Sequence, residues 1–149
     1  MCFRNTAEPA KGPVVALRVS GNMSIIYRFR VEGYQDALYP HGHRQFYKEC
    51  FITGIIDFIC GNAATVFQFY QLVARQPRKG QSNVITAQSR ASKDVKSGFS
   101  FQKCNISTSS DLDTTTVKTY LGRPWGIYST TAVLQSFIGD LVDPAGWTP

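Results

Sequence analysis

Long hydrophobic runs are missing from these 149 residues. No stretch approaches the roughly 18 to 20 consecutive apolar residues that a membrane-spanning helix needs. The first residues, Met1-Cys2-Phe3-Arg4-Asn5-Thr6, lack the apolar segment of a secretory signal, so none is read there. Cysteine is scarce: it occurs at positions 2, 50, 60 and 104 only, with no Cys-x-x-Cys spacing. That argues against a zinc finger and against a thioredoxin-type redox site. Charge is sparse as well, at 17% of residues against 43% hydrophobic, which is the balance of a chain that folds rather than one that stays disordered. The length suits one domain with a real core.

Acidic residues are the rarer sign, 10 against 16 Lys and Arg, giving a formal charge of +6 and a pI near 9.3. Such a balance favours acidic partners, among them nucleic acid, anionic lipid and acidic polysaccharide. The densest basic group is Arg75, Arg78 and Lys79. No helix-turn-helix, zinc knuckle or aromatic RNA-binding strand accompanies it, so charge alone does not select the partner.

What is present is β-structure. Short β-branched and aromatic runs are bounded by Gly, Asn, Asp and Pro: Val14 to Val19, Ile25 to Val31, Gln45 to Ile52, Thr65 to Val73, Asn83 to Ala87, Phe99 to Ile106 and Thr131 to Ile138. Five segments repeat one pattern, starting at Phe29, Cys50, Tyr70, Cys104 and Ser136. The first two steps between them are short and nearly equal, and the next two are longer by a similar amount. Polar loops, Gln76 to Asn83 and Ser109 to Thr119, fit into the two long steps. A period in the low twenties without helices suits a solenoid of β-coils; a β-sandwich with incidental similarity is the alternative. Coils stacked about 4.8 Å apart would line up those five residues as one ladder.

The same period makes two carboxylates conspicuous. Asp36 and Asp57 stand one short step apart, each among apolar neighbours, so a β-coil stacks them on one face. Two close carboxylates divide roles, because repulsion and burial push their pKa values apart. Gln35 beside Asp36 could donate an amide hydrogen bond to a developing oxyanion. Arg123 offers a two-pronged partner for a carboxylate, and Trp125 a flat face for a sugar ring or a base. Each also has a plain structural reading: a turn-capping Asp, a ladder Gln, a packed turn. His41 and His43 form a pair without a third ligand and read as surface residues. Ser20 and Ser129 show neither a nucleophile elbow nor a histidine partner. Asn105-Ile106-Ser107 fits a glycosylation sequon, meaningful only in a secreted protein.

Taken together, the strings Gly33-Tyr34-Gln35-Asp36, Arg44-Gln45-Phe46-Tyr47, Asp57-Phe58-Ile59, Gly61-Asn62-Ala63-Ala64, Ile85-Thr86-Ala87-Gln88, Tyr120-Leu121-Gly122-Arg123-Pro124-Trp125 and Asp143-Pro144-Ala145-Gly146-Trp147 resemble the plant pectin methylesterases, or pectinesterases. The resemblance covers nearly the whole chain in family order. It implies an all-β, right-handed parallel β-helix over residues 1–149, a partial catalytic domain truncated at both ends. The implied activity is hydrolysis of methyl esters on galacturonate in cell-wall pectin, giving methanol and pectate, with no metal or organic cofactor. By motif, Asp57 resembles the nucleophile, Asp36 the acid and base, and Gln35 the oxyanion stabiliser, with Arg123 and Trp125 on the substrate side. Implied partners are methyl-esterified pectin and a proteinaceous pectinesterase inhibitor, with no nucleic acid and no membrane, for a secreted monomer of the cell wall.

The chain also departs from the family pattern. Where members carry a second oxyanion glutamine at the head of Gln-Ala-Val-Ala-Leu, this sequence has Pro13-Val14-Val15-Ala16-Leu17. Tyr70 stands where a cysteine facing Cys50 is common, which excludes that ladder disulfide. Cys60 replaces a usual Phe, and Gly126-Ile127 a usual charged pair. These departures leave a second expectation open, an inactive remnant that at most binds acidic polysaccharide through Trp125 and its basic residues.

Overall fold

The computed structural model describes residues 1–149. Its strands follow one another in threes. The first coil is β1 (Cys2–Arg4), β2 (Leu17–Val19) and β3 (Ser24–Tyr27), and the second is β4 (Arg30–Glu32), β5 (Leu38–Pro40) and β6 (Arg44–Lys48). The third is β7 (Phe51–Gly54), β8 (Ile56–Gly61) and β9 (Ala64–Gln68). The fourth is β10 (Gln71–Ala74), β11 (Asn83–Gln88) and β12 (Gly98–Gln102). The fifth is β13 (Asn105–Thr108), β14 (Thr119–Gly122) and β15 (Thr131–Leu134), after which β16 (Phe137–Ile138) begins another turn. Each strand pairs in parallel with its counterpart one coil away. The result is three sheets, β1-β4-β7-β10-β13-β16, β2-β5-β8-β11-β14 and β3-β6-β9-β12-β15. This is the parallel β-helix that the period and the resemblance imply.

Five of the apolar runs that read as single strands each divide in two. Ile25 to Val31, for example, is the end of β3 and the start of β4, broken at Arg28. The corner residue has a left-handed backbone in every coil: φ is 52° at Arg28, 53° at Glu49, 52° at Phe69, 52° at Lys103 and 50° at Gln135. None is glycine, so each corner costs on the order of 1 kcal/mol. The coil stack offsets that cost, since the corner amides stay in the ladder. Arg28 N–H donates to the Lys48 carbonyl at 3.1 Å, Glu49 to Gln68 at 3.0 Å and Lys103 to Leu134 at 3.1 Å.

Inside the prism, equivalent positions stack. Arg30, Phe51, Gln71, Asn105 and Phe137 are in register, so the preceding residues Phe29, Cys50, Tyr70, Cys104 and Ser136 form the ladder expected from the sequence. All four cysteines are free, and Tyr70 stands between Cys50 and Cys104. The two buried thiols donate to backbone carbonyls instead, Cys50 to Lys48 at 3.2 Å and Cys104 to Phe67 at 3.4 Å. In the third sheet Tyr47, Phe67 and Phe101 pile face to face, with centroids 5.0 Å and 4.6 Å apart. Phe67 is completely buried at the centre of this pile. Phe67→Ala should therefore lower stability by about 3–5 kcal/mol, read as a lower urea midpoint with an unchanged slope.

The two long steps each hold two loops. Beyond the two expected loops, which the structure places at 75–82 and 109–118, residues 89–97 and 123–130 form a second pair at the opposite ends of the second sheet's strands. That second pair carries Ser89, Arg123 and Trp125, and it is what walls the site.

Candidate active site

The outer face of the second sheet forms the floor of a cleft enclosing about 320 Å³. It runs across all five coils, from Pro13 and Val15 through Gln35, Asp36, Tyr39, Asp57, Cys60 and Ala87 to Arg123 and Trp125. The structure thus brings Asp36, Asp57, Gln35, Arg123 and Trp125 into one concavity.

Asp57 reaches the cleft because of a local irregularity. Between two register pairs, Val84 with Ile56 and Thr86 with Ile59, β8 spends one residue more than β11. This β-bulge contains Asp57 in a left-handed conformation, φ 50°. An extra residue in that geometry re-aims the side chain, and bulges concentrate where such re-aiming is used. Asp36, in the turn before β5, is also left-handed at φ 57°. Its amide donates to the Ile56 carbonyl at 3.1 Å, which sets Asp36 beside Asp57 one coil on. Aspartate tolerates this backbone better than most residues.

Electrostatics then separate the pair. Asp57 is 4% exposed, and its carboxylate accepts from Arg123 Nε at 2.9 Å and 3.0 Å as well as from a terminal guanidinium nitrogen. Burial raises the Asp57 carboxyl above its ordinary value, and the Arg123 contacts offset only part of that rise. Asp36 has no such partner. Burial first, and then the Asp57 charge, raise it to about 6, with Arg123 opposing from further away. As the pair titrates, Asp57 therefore ionises first and Asp36 retains the proton. The Cys60 thiol is pushed up by burial and by both carboxylates, so it stays protonated.

The Arg123 guanidinium lies over the Trp125 ring at 4.6 Å, and Trp125, 64% exposed, lines the cleft. The loop carrying them is tied to the fourth coil: Arg123 N–H donates to Thr86 at 2.9 Å and Trp125 N–H to Gln88 at 3.1 Å. Gly126 has a packing reason to depart from the family pattern. A Cβ there would meet the Arg90 carbonyl oxygen at 2.2 Å.

Other expectations resolve away from the cleft. Arg75 stacks on Tyr34 at 4.5 Å and donates to the Gly33 carbonyl, while Arg78 and Lys79 lie further along the same loop, away from the cleft. Ser129 donates to the Gln88 carbonyl and accepts from the Gly126 amide, a role in holding the loop. Ser20 requires a correction: it does have a histidine partner, with His41 Nδ1 3.3 Å from its Oγ. The two lie one period apart, and coil stacking brings them together at the exposed rim. Tyr39 is a cleft residue that sequence reading passed over. It precedes Cys60 by the same step that separates the aspartates, so the period could have found it.

Comparison with known proteins agrees with the fold. The chain is 83% identical over 149 residues to probable pectinesterase 30 of Arabidopsis thaliana, covering all of this chain and 30% of that relative. Pectin methylesterase from carrot superposes with a TM-score of 0.98 at 48% identity, over 100% of this chain and 47% of that one. A pectin methylesterase in complex with a hexasaccharide matches at a TM-score of 0.75 and 26% identity, over 91% of this chain and 49% of that one. The chain thus spans less than a third of the Arabidopsis relative and about half of each matched structure. The Pectinesterase family profile matches residues 1–149. With the coil period and that match over residues 1–149 in agreement, the chain belongs to the pectinesterase family.

Proposed function

We propose that this cleft hydrolyses methyl esters of galacturonate in pectin through an acyl-enzyme on Asp57. The observation that carries the reading is the unequal aspartate pair: one carboxylate clamped by Arg123, its neighbour with a pKa of about 6. The ionised Asp57 oxygen attacks the ester carbonyl carbon, and the carbonyl oxygen becomes an oxyanion facing the Gln35 amide. Collapse breaks the carbon–methoxy bond, Asp36 gives its proton to the departing oxygen, and methanol leaves. Asp36, now ionised, takes a proton from water, whose oxygen attacks the substrate carbonyl of the mixed anhydride. Asp57 departs as a carboxylate, and the product is the free uronic acid. Trp125 supplies a flat face for the sugar ring. Action as a secreted monomer in the cell wall, and recognition by a pectinesterase inhibitor, accompany the reading because the family resemblance implies them.

Methanol release from highly methylated pectin, followed against pH, tests it. The free chain needs Asp36 protonated and Asp57 ionised, so kcat/KM should fall about tenfold per pH unit above about 6. Bound polymer excludes water and raises Asp36 further, so the kcat limb should lie at higher pH. Asp36→Asn should remove that limb along with most of the rate. A flat profile through this range in the parent would overturn the assignment of Asp36. Pro13 favours a second reading, a chain that binds galacturonan without turnover, because proline offers no donor to an oxyanion. Binding with no methanol release would select that second reading.

A further inference from the structure

Gln88 ends β11 at the point where the loops walling the cleft leave the second sheet, and it is 1% exposed. Its carbonyl accepts from Trp125 N–H at 3.1 Å, from Gly126 N–H at 3.3 Å and from the Ser129 hydroxyl. Its side-chain oxygen accepts from Arg90 N–H at 3.0 Å and from Thr130 N–H at 3.1 Å. Those two amides can only donate, so the oxygen must face them and the side-chain NH₂ must turn the other way. There it reaches Ser97 Oγ at 3.4 Å, and the Ser97 hydroxyl donates in turn to Asn62 Oδ1 beside the end of β8. Each link has a donor at one end and an acceptor at the other. The 123–130 loop is thus closed around one buried residue, with the 89–97 loop fastened to the same oxygen.

The closed loop matters because of what it carries, and the role assigned to it rests on the pectinesterase reading above. Arg123 opens the loop and clamps Asp57, and its guanidinium lies on Trp125, whose amide Gln88 holds. Asp57 shares the cleft with Asp36 and Cys60, and Arg123 is the cation that contacts it. Strand pairing alone does not fix this arrangement. The second-sheet ladder stops at Gly122, and the next strand begins only at Thr131, so the loop depends on other acceptors. We propose that Gln88 is a positioning residue for the reaction: by locking Thr130 and Arg90, its side-chain oxygen keeps the loop in the place from which Arg123 grips Asp57. The demand on such a lock is high, since a misplacement of about 1 Å in a reacting group can cost about 10²-fold in rate.

The test compares Gln88→Met, which keeps the length and removes the acceptor, with Gln88→Glu, which keeps the oxygen. The carbon NMR signal of the Asp57 carboxyl is followed against pH in each chain and in the parent. In Gln88→Met the Arg123 contacts loosen and burial meets less opposition, so the Asp57 titration should rise by about one pH unit. In Gln88→Glu it should stay within about 0.3 unit of the parent. Turnover should follow the same order: in Gln88→Met kcat/KM should fall about tenfold or more, with its acid limb, where Asp57 ionises, moved to higher pH. A residue that merely supports the fold would lower the melting temperature and leave the Asp57 titration in place. An unmoved titration in folded Gln88→Met, or an equal rise in Gln88→Met and Gln88→Glu, would overturn the proposal. Should Gln88→Met not fold, Gln88→Asn withdraws the oxygen by one methylene and is held to the same outcomes. Methanol release by the parent judges the pectinesterase reading separately, because the carboxyl titration needs no turnover.

Discussion

Asp57→Asn should lower methanol release by roughly 10⁴-fold or more, the scale on which removing a catalytic nucleophile acts. The substitution keeps the shape of the side chain, and its carbonyl oxygen can still accept one hydrogen bond from Arg123. It removes the charge that attacks, and beside burial, which stays, it removes the lesser of the two influences that raise Asp36. Two independent changes should therefore appear together: turnover disappears, and Asp36 titrates nearer its ordinary range. The fold should survive, because Asp57 lies on a bulge at the outer face while the interior ladders of Val31, Ile52, Leu72 and Ile106 are untouched. A melting transition close to the parent's, measured on the same preparation, separates lost chemistry from lost structure. Release within about tenfold of the parent in a folded Asp57→Asn chain would sink the acyl-enzyme on this residue.

How much of this was legible in the sequence depends on whether a feature kept phase with the coil. Asp36 and Asp57 did, and so did Phe29, Cys50 and Tyr70, because the second and third coils carry no inserted loop. Arg123 did not. It meets Asp57 across 66 positions of sequence because three loops intervene in the fourth and fifth coils, so only its residue type and flanking string marked it. The corners were hidden for a different reason. Left-handed backbone is usually betrayed by Gly or Asn, but here Arg28, Glu49, Phe69, Lys103 and Gln135 adopt it within the stacked coils. That cost is met by tertiary stacking, which no local propensity records. The bulge at Asp57 is likewise a property of two strands together. β8 alone reads as a continuous strand, and only its register against β11 exposes the extra residue.

Pro13→Gln should raise kcat by roughly 10²-fold, since one oxyanion donor is worth about 10²–10³ in rate where it has been removed elsewhere. The geometry favours a gain. The Val14 amide donates to the Gln35 carbonyl at 3.3 Å, so Pro13 lies one coil before Gln35, and both line the same cleft. Pro13 is exposed, which leaves room for a longer side chain, and Asn5 Nδ2 donates to the Val14 carbonyl to keep this stretch in place. A glutamine there would add a second amide beside the first. The oxyanion exists only after Asp57 has attacked, so the benefit should fall on kcat with KM nearly unchanged. Pro13→Ala separates the two things the substitution does, because it removes the ring without supplying a side-chain donor. Alanine should change kcat by no more than about threefold if the donor is what matters. If alanine matches glutamine, the relief is in the backbone, and Gln35 alone carries the oxyanion in this cleft.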